Sequence, residues 1–531
     1  MVEYTGGSSR NAGIRCESCT PAISQCTVRN GIGFGIYADN GAAPSLQDNV
    51  ISGQTGYPVS LYCEKVGYCQ LAGNTGSGNL ADEIEVRGGE VRSSQTWPKD
   101  GMVYRVTGSV SLYGTEQDVN NPAVLTIAPG CTLKFADDTT LFTGYSYYGW
   151  YWGKLLAQGT EDQPITFTAV TAEPGKWNGI LMRHGTHADT VLEHCIVEYA
   201  GAAGSTTSVQ AQDCTPALTD CEIRSSGDFG LYADDSAAPV VTRCSFTDNV
   251  GFPVSFHWSR VDSINSVSGT GNQAGNEIQL RPANITANTH LRVVGMGYRF
   301  VDDASVYNGA TLLVDHGVVM KFNGRFNVGH PTSNNAGTAR LLGTADDPIV
   351  MTASNGQAGG WGGVYIASWA GGLTELRHVI ISHGGGNEGT KSNLYVNSTA
   401  PKIVNCDIFR GAQNGVTLAT ATPIKNCIVT ENANFGVIGS GSWVTYTDIW
   451  ANEGGNTSGA AVGVGCKSVN PYYVAPSAGD FHLQARSTCI DAGDPAMVDM
   501  IGSRMDMGAW SILGTPTPPI SLGSAKAAVD G

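Results

Sequence analysis

One short motif recurs as His194-Cys195-Ile196-Val197, then as Asp220-Cys221-Glu222-Ile223, and then as Arg243-Cys244-Ser245-Phe246. Its cysteines are 26 and 23 residues apart, and further copies lie at 25–28, 405–408 and 426–429. The cysteine and the residue two positions later are apolar, while their neighbours are often polar, so each copy has the alternation of a strand. Turns rich in Gly, Asn, Asp and Pro separate the copies, and helical periodicity is almost absent. Short strands at this spacing are typical of the coils of a parallel β-helix.

A longer repeat contains the short one. Shifting the chain by 195 residues places Phe34-Gly35-Ile36-Tyr37-Ala38-Asp39 on Phe229-Gly230-Leu231-Tyr232-Ala233-Asp234, and a third copy follows at a shift near 185. The large unit therefore has about 190 residues, and we place the copies at approximately 1–135, 136–322 and 323–465. An array of 190-residue β-sandwiches is the alternative, but a sub-period near 23 residues is not a sandwich feature. The sequence predicts an all-β solenoid, a single-stranded parallel β-helix.

Composition narrows the classes of protein. Of 531 residues, 70 are glycine and 14% are charged, against 41% that are hydrophobic, so the chain has material for a core. The net charge of −16 and the lack of basic runs argue against nucleic acid as a partner. We find no apolar run long enough for a membrane helix. The chain begins in mid-motif without a signal peptide, so we expect Met1 to start a fragment or a processed form.

The motifs resemble those of secreted bacterial right-handed parallel β-helix repeat proteins, of the pectate-lyase-like superfamily. The resemblance rests on Leu125-Thr126-Ile127-Ala128-Pro129-Gly130-Cys131-Thr132-Leu133-Lys134-Phe135, on Trp177-Asn178-Gly179-Ile180, and on Cys489-Ile490-Asp491-Ala492-Gly493-Asp494-Pro495. It implies a right-handed solenoid, an extracellular or cell-surface location, a capping segment over 466–512 and a tail or linker over 513–531. The family often carries D-x-D-G near its end. Here Asp499-Met500-Ile501-Gly502 keeps only the first Asp, so a structural calcium ion is unsupported and no cofactor is predicted.

The most unusual segment is an aromatic cluster of six rings within eight residues. It falls between two strands, where the third copy has a polar loop, so we predict lateral loop insertions here and near 326–338. Tyr and Trp combine a flat apolar face with a polar edge, which suits stacking on sugar rings. The alternative is that the rings pack on a neighbouring coil. The candidate carbohydrate-binding residues are Tyr145, Tyr147, Tyr148, Trp150, Tyr151 and Trp152.

A second candidate cluster combines His257, Trp258 and Arg260, which could recognise a sugar carboxylate. A surface histidine without that role is the alternative. Catalytic residues stay unknown, because Glu193 and Glu198 lie on one strand with opposite parity and face opposite ways. His184-Gly185-Thr186-His187 with Asp189 has a nominal metal-ligand spacing, which arises often enough by chance that we predict no metal site.

The cysteines divide into two groups. In the first group, Cys26, Cys221, Cys244, Cys406 and Cys427 should point into the lumen as unpaired small hydrophobic residues. The second group lies off this ladder: Cys63 and Cys69 bracket a five-residue loop, and Cys466 and Cys489 bracket the terminal segment. We expect a disulfide in each of these two pairs, consistent with export.

Three classes of function remain open. The favoured class is a non-catalytic extracellular scaffold or adhesin that binds polysaccharide or a surface protein, because an aromatic strip is the clearest feature. The second is a polysaccharide lyase or glycoside hydrolase that acts in a groove along the helix. The third is a self-assembling surface or fibre subunit.

Overall fold

A computed structural model describes residues 1–3, 11–146, 149–202, 207–281, 284–386, 390–499 and 502–510. Of the described residues, 45% lie in strands and 2% in helices, and the long sheets are entirely parallel. The predicted parallel β-helix is confirmed. The chain divides into two compact units, Met1–Ile278 and the part that begins at Gln279.

The first unit consists of short strands with two intervening 3₁₀ helices, Val66–Tyr68 and Trp258–Ser263. Its strands are β1 (Val2–Glu3), β2 (Ala12–Cys16), β3 (Ala22–Ser24), β4 (Thr27–Arg29), β5 (Phe34–Ala38), β6 (Ser45–Gln47), β7 (Val50–Ser52), β8 (Val59–Tyr62), β9 (Thr75–Ser77), β10 (Ile84–Arg87), β11 (Gly89–Val91), β12 (Gln95–Trp97), β13 (Tyr104–Val106), β14 (Val110–Leu112), β15 (Ala123–Ile127), β16 (Thr132–Phe135), β17 (Thr140–Thr143), β18 (Gly153–Gln158), β19 (Ile165–Ala169), β20 (Gly179–Met182), β21 (Val191–Glu193), β22 (Cys195–Glu198), β23 (Thr207–Ala211), β24 (Ala217–Thr219), β25 (Glu222–Arg224), β26 (Phe229–Ala233), β27 (Val240–Thr242), β28 (Ser245–Thr247), β29 (Val254–His257), β30 (Ile264–Asn265) and β31 (Ser268–Thr270).

From β10 to β28, each strand of the first unit pairs in parallel with the third strand after it, so one coil contributes three strands. The eleven-stranded sheet runs β2-β5-β8-β10-β13-β16-β19-β22-β25-β28-β31, and the seven-stranded sheet runs β12-β15-β18-β21-β24-β27-β30. A third series joins β11, β14, β17, β20, β23, β26 and β29. A four-stranded sheet, β1-β4-β7-β9, and the pair β3-β6 complete the first coils.

The second unit repeats the pattern with longer strands, after β32 (Ile278–Arg281), which crosses the boundary. The strands are β33 (Asn284–Ile285), β34 (Thr289–Leu291), β35 (Tyr298–Phe300), β36 (Ala304–Val306), β37 (Thr311–Asp315), β38 (Val319–Phe322), β39 (Phe326–Val328), β40 (Thr338–Leu342), β41 (Ile349–Ala353), β42 (Val364–Ile366), β43 (Glu375–Ser382), β44 (Ser392–Val396), β45 (Lys402–Phe409), β46 (Asn414–Leu418), β47 (Ile424–Lys425), β48 (Ile428–Thr430), β49 (Phe435–Thr445), β50 (Asp448–Trp450), β51 (Gly455–Val462), β52 (Tyr473–Ala475) and β53 (Asp480–Leu483), with a 3₁₀ helix at Pro476–Ala478.

Long strands join adjacent faces in the second unit. β43 pairs with β40 through Glu375–Arg377 and with β41 through Val379–Ile381, so one strand continues around a corner of the coil. The predicted insertion near 326–338 is shorter than expected, because Phe326–Val328 forms the buried strand β39. The loop proper begins after that strand.

The core forms from aligned inward side chains. Val209, Leu231 and Val254 occupy matching positions on three successive strands, and all are fully buried. Parallel register places like residues above one another, so apolar residues at alternate strand positions form continuous columns. This explains why one cysteine motif recurs at the coil spacing.

The cysteine ladder is mostly confirmed. All fourteen cysteines are free; Cys221, Cys244, Cys406 and Cys427 are buried as predicted, whereas Cys26 is half-buried. Three thiols in the ladder reach a backbone carbonyl of the preceding coil: Cys221 Sγ lies 3.3 Å from the oxygen of Leu192, Cys244 Sγ lies 3.5 Å from that of Leu218, and Cys406 Sγ lies 3.6 Å from that of Leu376. The thiols therefore act as small core groups that also satisfy carbonyls.

The first predicted disulfide, Cys63–Cys69, is wrong, because both cysteines are free and buried. The Cys63 thiol points to the carbonyl of Glu90 and the Cys69 thiol to that of Lys65. The 195-residue repeat explains their burial, since it aligns Cys63 with Trp258 and Cys69 with Ile264, which are also buried. Both positions belong to the core rather than to a cross-link.

The second predicted disulfide, Cys466–Cys489, is also wrong. Both residues are free; the half-buried Cys466 donates to the carbonyl of Val444 at 3.3 Å, whereas Cys489 lies in the core of the terminal segment. Packing against the coils, instead of a covalent bond, therefore holds the terminal segment.

The terminal segment lies mainly along the flank of the solenoid. It meets the edge of β50 at Lys467, whose amide donates to Thr447. It then covers the outward column formed by Val350, Ile380, Asp407 and Ile428, with an apolar cluster. That cluster contains Tyr473, Phe481, Leu483, Cys489, Met507, Ala509 and Trp510. Residues 511–531, which include the predicted tail, lie outside the described part of the chain.

Candidate functional site

The aromatic segment lies at one corner of three successive coils. β14, β17 and β20 pair in register, as do β15, β18 and β21, so the three connections between these two series lie side by side. These connections cover residues 113–122, 144–152 and 183–190. The predicted binding segment is the middle one, and the other two flank it.

The middle connection closes as a narrow loop. The amide of Tyr145 donates to the carbonyl of Tyr151 at 3.1 Å, and the amide of Tyr151 donates back at 2.9 Å. Its base is tied to both neighbouring coils, because Gly144 donates to Leu112 at 3.0 Å and Gly153 donates to Gly185 at 3.0 Å. The loop therefore projects laterally from a fixed base.

The inner half of the loop is structural. Tyr145 stacks on Tyr113 with ring centroids 4.8 Å apart, and Tyr151 meets the same ring edge-on at 6.2 Å. The Tyr113 hydroxyl donates to Glu90, and the guanidinium of Arg92 lies over its ring at 5.0 Å. Burial and the neighbouring carboxylate raise the pKa of Tyr113. Tyr145 and Tyr151 thus anchor the loop and are half-buried.

The outer half of the loop faces solvent. Trp150 is 52% exposed and packs edge-on against half-buried Trp152, with centroids 6.2 Å apart. The ring of His184 supports Trp150 from the flanking coil at 3.9 Å, and His184 is itself paired with Asp213. The contact to His184 fixes an exposed indole, so its position is set by the fold.

An open pocket of about 460 Å³ lies beside these two indoles. Apolar surface comes from the tryptophans and Val119, and polar groups come from the Gln117 amide and the Asp118 carboxylate. Flat apolar faces next to hydrogen-bonding groups are the combination that recognises a sugar ring. The lining residues are Gln117, Asp118, Val119, Gly149, Trp150 and Trp152.

The six predicted residues of the aromatic cluster do not all serve the same purpose. Trp150 and Trp152 line the pocket, Tyr145 and Tyr151 hold the loop, and Tyr147 and Tyr148 lie outside the described residues. Sequence reasoning missed the contribution of the preceding coil, residues 117–119. A signal for it existed, because parallel register places equivalent connections of successive coils side by side.

The second predicted cluster does not form a surface for stacking. Trp258 is 3% exposed, because it starts the 3₁₀ helix 258–263 and packs inward at the position that Cys63 occupies in the first copy. The His257 ring is bonded to the Ser259 hydroxyl at 2.7 Å, and Arg260 is exposed. The prediction that Trp258 binds sugar is therefore corrected, since no face of its indole is available.

The residues considered for catalysis or metal binding do not come together at one site, because each of them binds a different partner. Glu198 accepts from Thr168 at 2.8 Å and from Arg224 at 2.7 Å, whereas Glu193 accepts from Gln158 at 3.0 Å. His184 and His187 bind different aspartates, Asp213 and Asp189. Within the described ranges, no group of three His, Cys, Asp or Glu side chains is placed to hold a metal ion.

Comparison with known proteins adds no relative: no family model matches the chain, and no curated protein matches it. Across the described residues, none of the helices has both the length and the apolar character needed to cross a membrane.

Proposed function

We propose that the protein is a non-catalytic extracellular or cell-surface scaffold that binds neutral polysaccharide at the pocket beside Trp150 and Trp152. The observation that carries the proposal is the exposed indole of Trp150, which the His184 ring supports at the edge of a pocket with polar groups. A ring held in place before binding loses little conformational freedom when a sugar stacks on it. The net charge of −16 favours neutral glycans over polyanions.

The composition of the pocket supports binding over turnover. Of the described residues that line it, Asp118 alone carries a carboxylate. Glycoside hydrolysis in most families needs two carboxyl groups on either side of the scissile bond. A lyase or hydrolase is therefore the weaker proposal, and an assay for new reducing ends on any retained glycan tests it directly.

We also propose that the chain belongs with the secreted bacterial β-helix repeat proteins of the pectate-lyase-like superfamily. The resemblance of its motifs supports this family and an exported location. The free state of all fourteen cysteines removes the predicted disulfides as an argument for export. Localisation of the native protein in fractionated cells would test the proposal.

The binding proposal is tested by replacing Trp150 with Ala and measuring retention on a panel of immobilised neutral glycans. We expect the variant to lose retention, because a stacked indole contributes roughly 25 cal/mol per Å² of apolar surface that the sugar buries. Its melting temperature should stay within a degree or two of the wild-type value, since the ring is half exposed.

Trp443 provides a matched control, because it is 40% exposed and does not line the pocket. Trp443→Ala should leave glycan retention unchanged. Equal retention by the wild type and Trp150→Ala would refute the proposal. Retention that disappears together with thermal stability would assign Trp150 a packing role instead.

A further inference from the structure

A second pocket of about 570 Å³ lies between the terminal segment and the flank of the coils, within the second unit. Three strands that are neighbours in the sheet form its floor. They are β40, through the turn after Leu342, β43, through Arg377, and β45, through Val404. The terminal segment forms the opposite wall with Met497, Val498, Asp499 and Met505. The pocket is independent of the aromatic corner described above.

The overhanging wall is held firmly. Asp494 binds Lys425 at 2.7 Å, and its amide donates to the side chain of Asn426 at 2.7 Å. Asn405 donates to the carbonyl of Asp506 at 2.9 Å and to that of Gly508 at 3.2 Å. These bonds lie on both sides of the pocket, so the space beneath the segment is a feature of the packed structure.

Arg377 is the distinctive group in the floor. It points outward between Leu342 and Val404 on the neighbouring strands, and it is half-buried. Its Nε is buried without a hydrogen-bond partner, and among the described residues its guanidinium has no ion-pair partner. Because Arg377 is only half-buried and lines the pocket, the rest of its guanidinium can pair with an anionic acceptor that enters the pocket.

The other charged groups of the pocket either have a partner or lie exposed at its rim. Lys402 pairs with Glu375 at 3.0 Å, and the Asp499 carboxylate accepts from the amide of Ser503 at 2.9 Å. Asp346 is exposed at the rim. The His378 ring donates to the carbonyl of Ala509 through Nδ1 at 2.8 Å, and burial lowers its pKa, which favours the neutral ring.

We propose that this pocket binds a small monocarboxylate with an apolar body, whose carboxylate pairs with Arg377. The guanidinium fork matches a carboxylate through two parallel hydrogen bonds. The apolar walls, Ala345, Val404, Met497, Val498 and Met505, suit an aliphatic or aromatic body, and the volume is ordinary for a small-molecule site.

The test uses the full chain and octanoate as the probe, with titration calorimetry as the measurement. Octanoate should bind saturably, and octanamide, which has the same length but no charge, should bind at least tenfold more weakly. Inorganic phosphate should not bind at the same concentration, because it lacks the apolar body. Absence of saturable octanoate binding, or equal binding of octanamide, would overturn the proposal without any variant.

Variants of Arg377 then test whether octanoate binds in this pocket. Arg377→Gln should weaken octanoate binding at least tenfold, and Arg377→Lys should weaken it less, because it keeps the charge but loses the fork. Arg340→Gln is the matched control: it removes an equal charge from the same sheet, on a residue that does not line the pocket, and should bind octanoate as the wild type does. Unchanged binding by a folded Arg377→Gln protein would contradict the assignment.

Discussion

At the scale of single residues, buried asparagines connect successive coils. Asn432 donates to the side-chain oxygen of Asn452 at 2.8 Å and accepts from Asn393 at 3.0 Å and from the amide of Gly411 at 2.9 Å. In the first unit, Asn49 donates to Asn74 in the same way at 2.9 Å. An amide side chain both donates and accepts, so it can repeat along a stack without leaving a partner unsatisfied.

Asn432→Leu should therefore be strongly destabilising. The change leaves the Gly411 amide and the Asn393 side chain buried with fewer partners, and the cost is on the order of 3 kcal/mol for two such groups. Guanidinium-induced unfolding measures it. Asn334→Leu is the control, since Asn334 is exposed in a loop and its change should stay within about 0.5 kcal/mol. Similar stabilities for the two variants would show that the amide stack contributes little.

The cysteines give a second prediction at this scale. Burial raises the pKa of the Cys63, Cys69 and Cys489 thiols to about 12, so these thiols stay protonated and unreactive from pH 7 to pH 9. Iodoacetamide should label exposed Cys19 first in the native protein, and all fourteen cysteines in guanidinium without reductant. Mass spectrometry counts the labels. Fewer than fourteen labels after unfolding would reveal a disulfide.

The sequence predicted the cysteine ladder but not the free state of the other four cysteines. The ladder could be recognised because alternation and coil spacing agree at Cys221 and Cys244. Cys63 continues the inward alternation of Val59 and Leu61, and its repeat partner is an apolar residue. The short distance in sequence between Cys63 and Cys69 favoured a disulfide. Their alignment with apolar residues in the next copy of the repeat indicated burial instead, and the structure agrees with the alignment.

At the scale of structural elements, one buried carboxyl group of the coils, that of Asp407, binds the docked terminal segment. Asp407 accepts from the Tyr473 hydroxyl at 2.6 Å and from the Ala509 amide at 2.9 Å, and burial raises its pKa to about 7. The folded state thus holds the proton more tightly than the unfolded state does. Stability from this group is lost as the pH rises from its ordinary pKa near 4 to about 7, by at most about 1.4 kcal/mol per pH unit.

Asp407→Asn should remove this dependence, because an amide keeps an acceptor oxygen and does not ionise. The stability of the variant relative to the wild type should rise from pH 5.5 to about 7 and level off above that. Urea unfolding at a series of pH values measures the difference. Asp448, whose pKa burial raises to about 6, and His378, whose pKa burial lowers, titrate in both proteins and largely cancel. A difference that is independent of pH would contradict the prediction.

The aromatic site could be predicted in part. The density of rings at 145–152 indicated an insertion, and Trp150 does lie at the surface. Sequence alone did not divide the rings into an anchoring half and an exposed half, because that division depends on Tyr113 and His184 from neighbouring coils. Which strands are neighbours is a matter of register, and the repeat spacing gives register only approximately.

At the scale of the whole molecule, the large repeat changes the face on which a motif lies. In the first unit, β4 and β25 are equivalent in sequence, yet β4 belongs to the four-stranded sheet and β25 to the eleven-stranded one. The four-stranded sheet ends at β9, while β8 pairs directly with β10 and the eleven-stranded sheet continues. The 195-residue repeat is therefore a translation combined with a step to the next face.

In such a solenoid each coil contacts mainly its neighbouring coils, so a destabilising substitution should mainly affect the coils next to it. Trp177 is fully buried, stacks on Phe135 with centroids 4.1 Å apart, and donates to the carbonyl of Glu198 at 2.9 Å. Trp177→Ala should cost roughly 3–5 kcal/mol. Hydrogen exchange should then lose protection at β19 and β22, with little change at β4 and β5, whereas Trp150→Ala should change none of these strands. Equal loss of protection across the first unit would mean that its coils unfold as one cooperative block, and the nearest-neighbour description would fail.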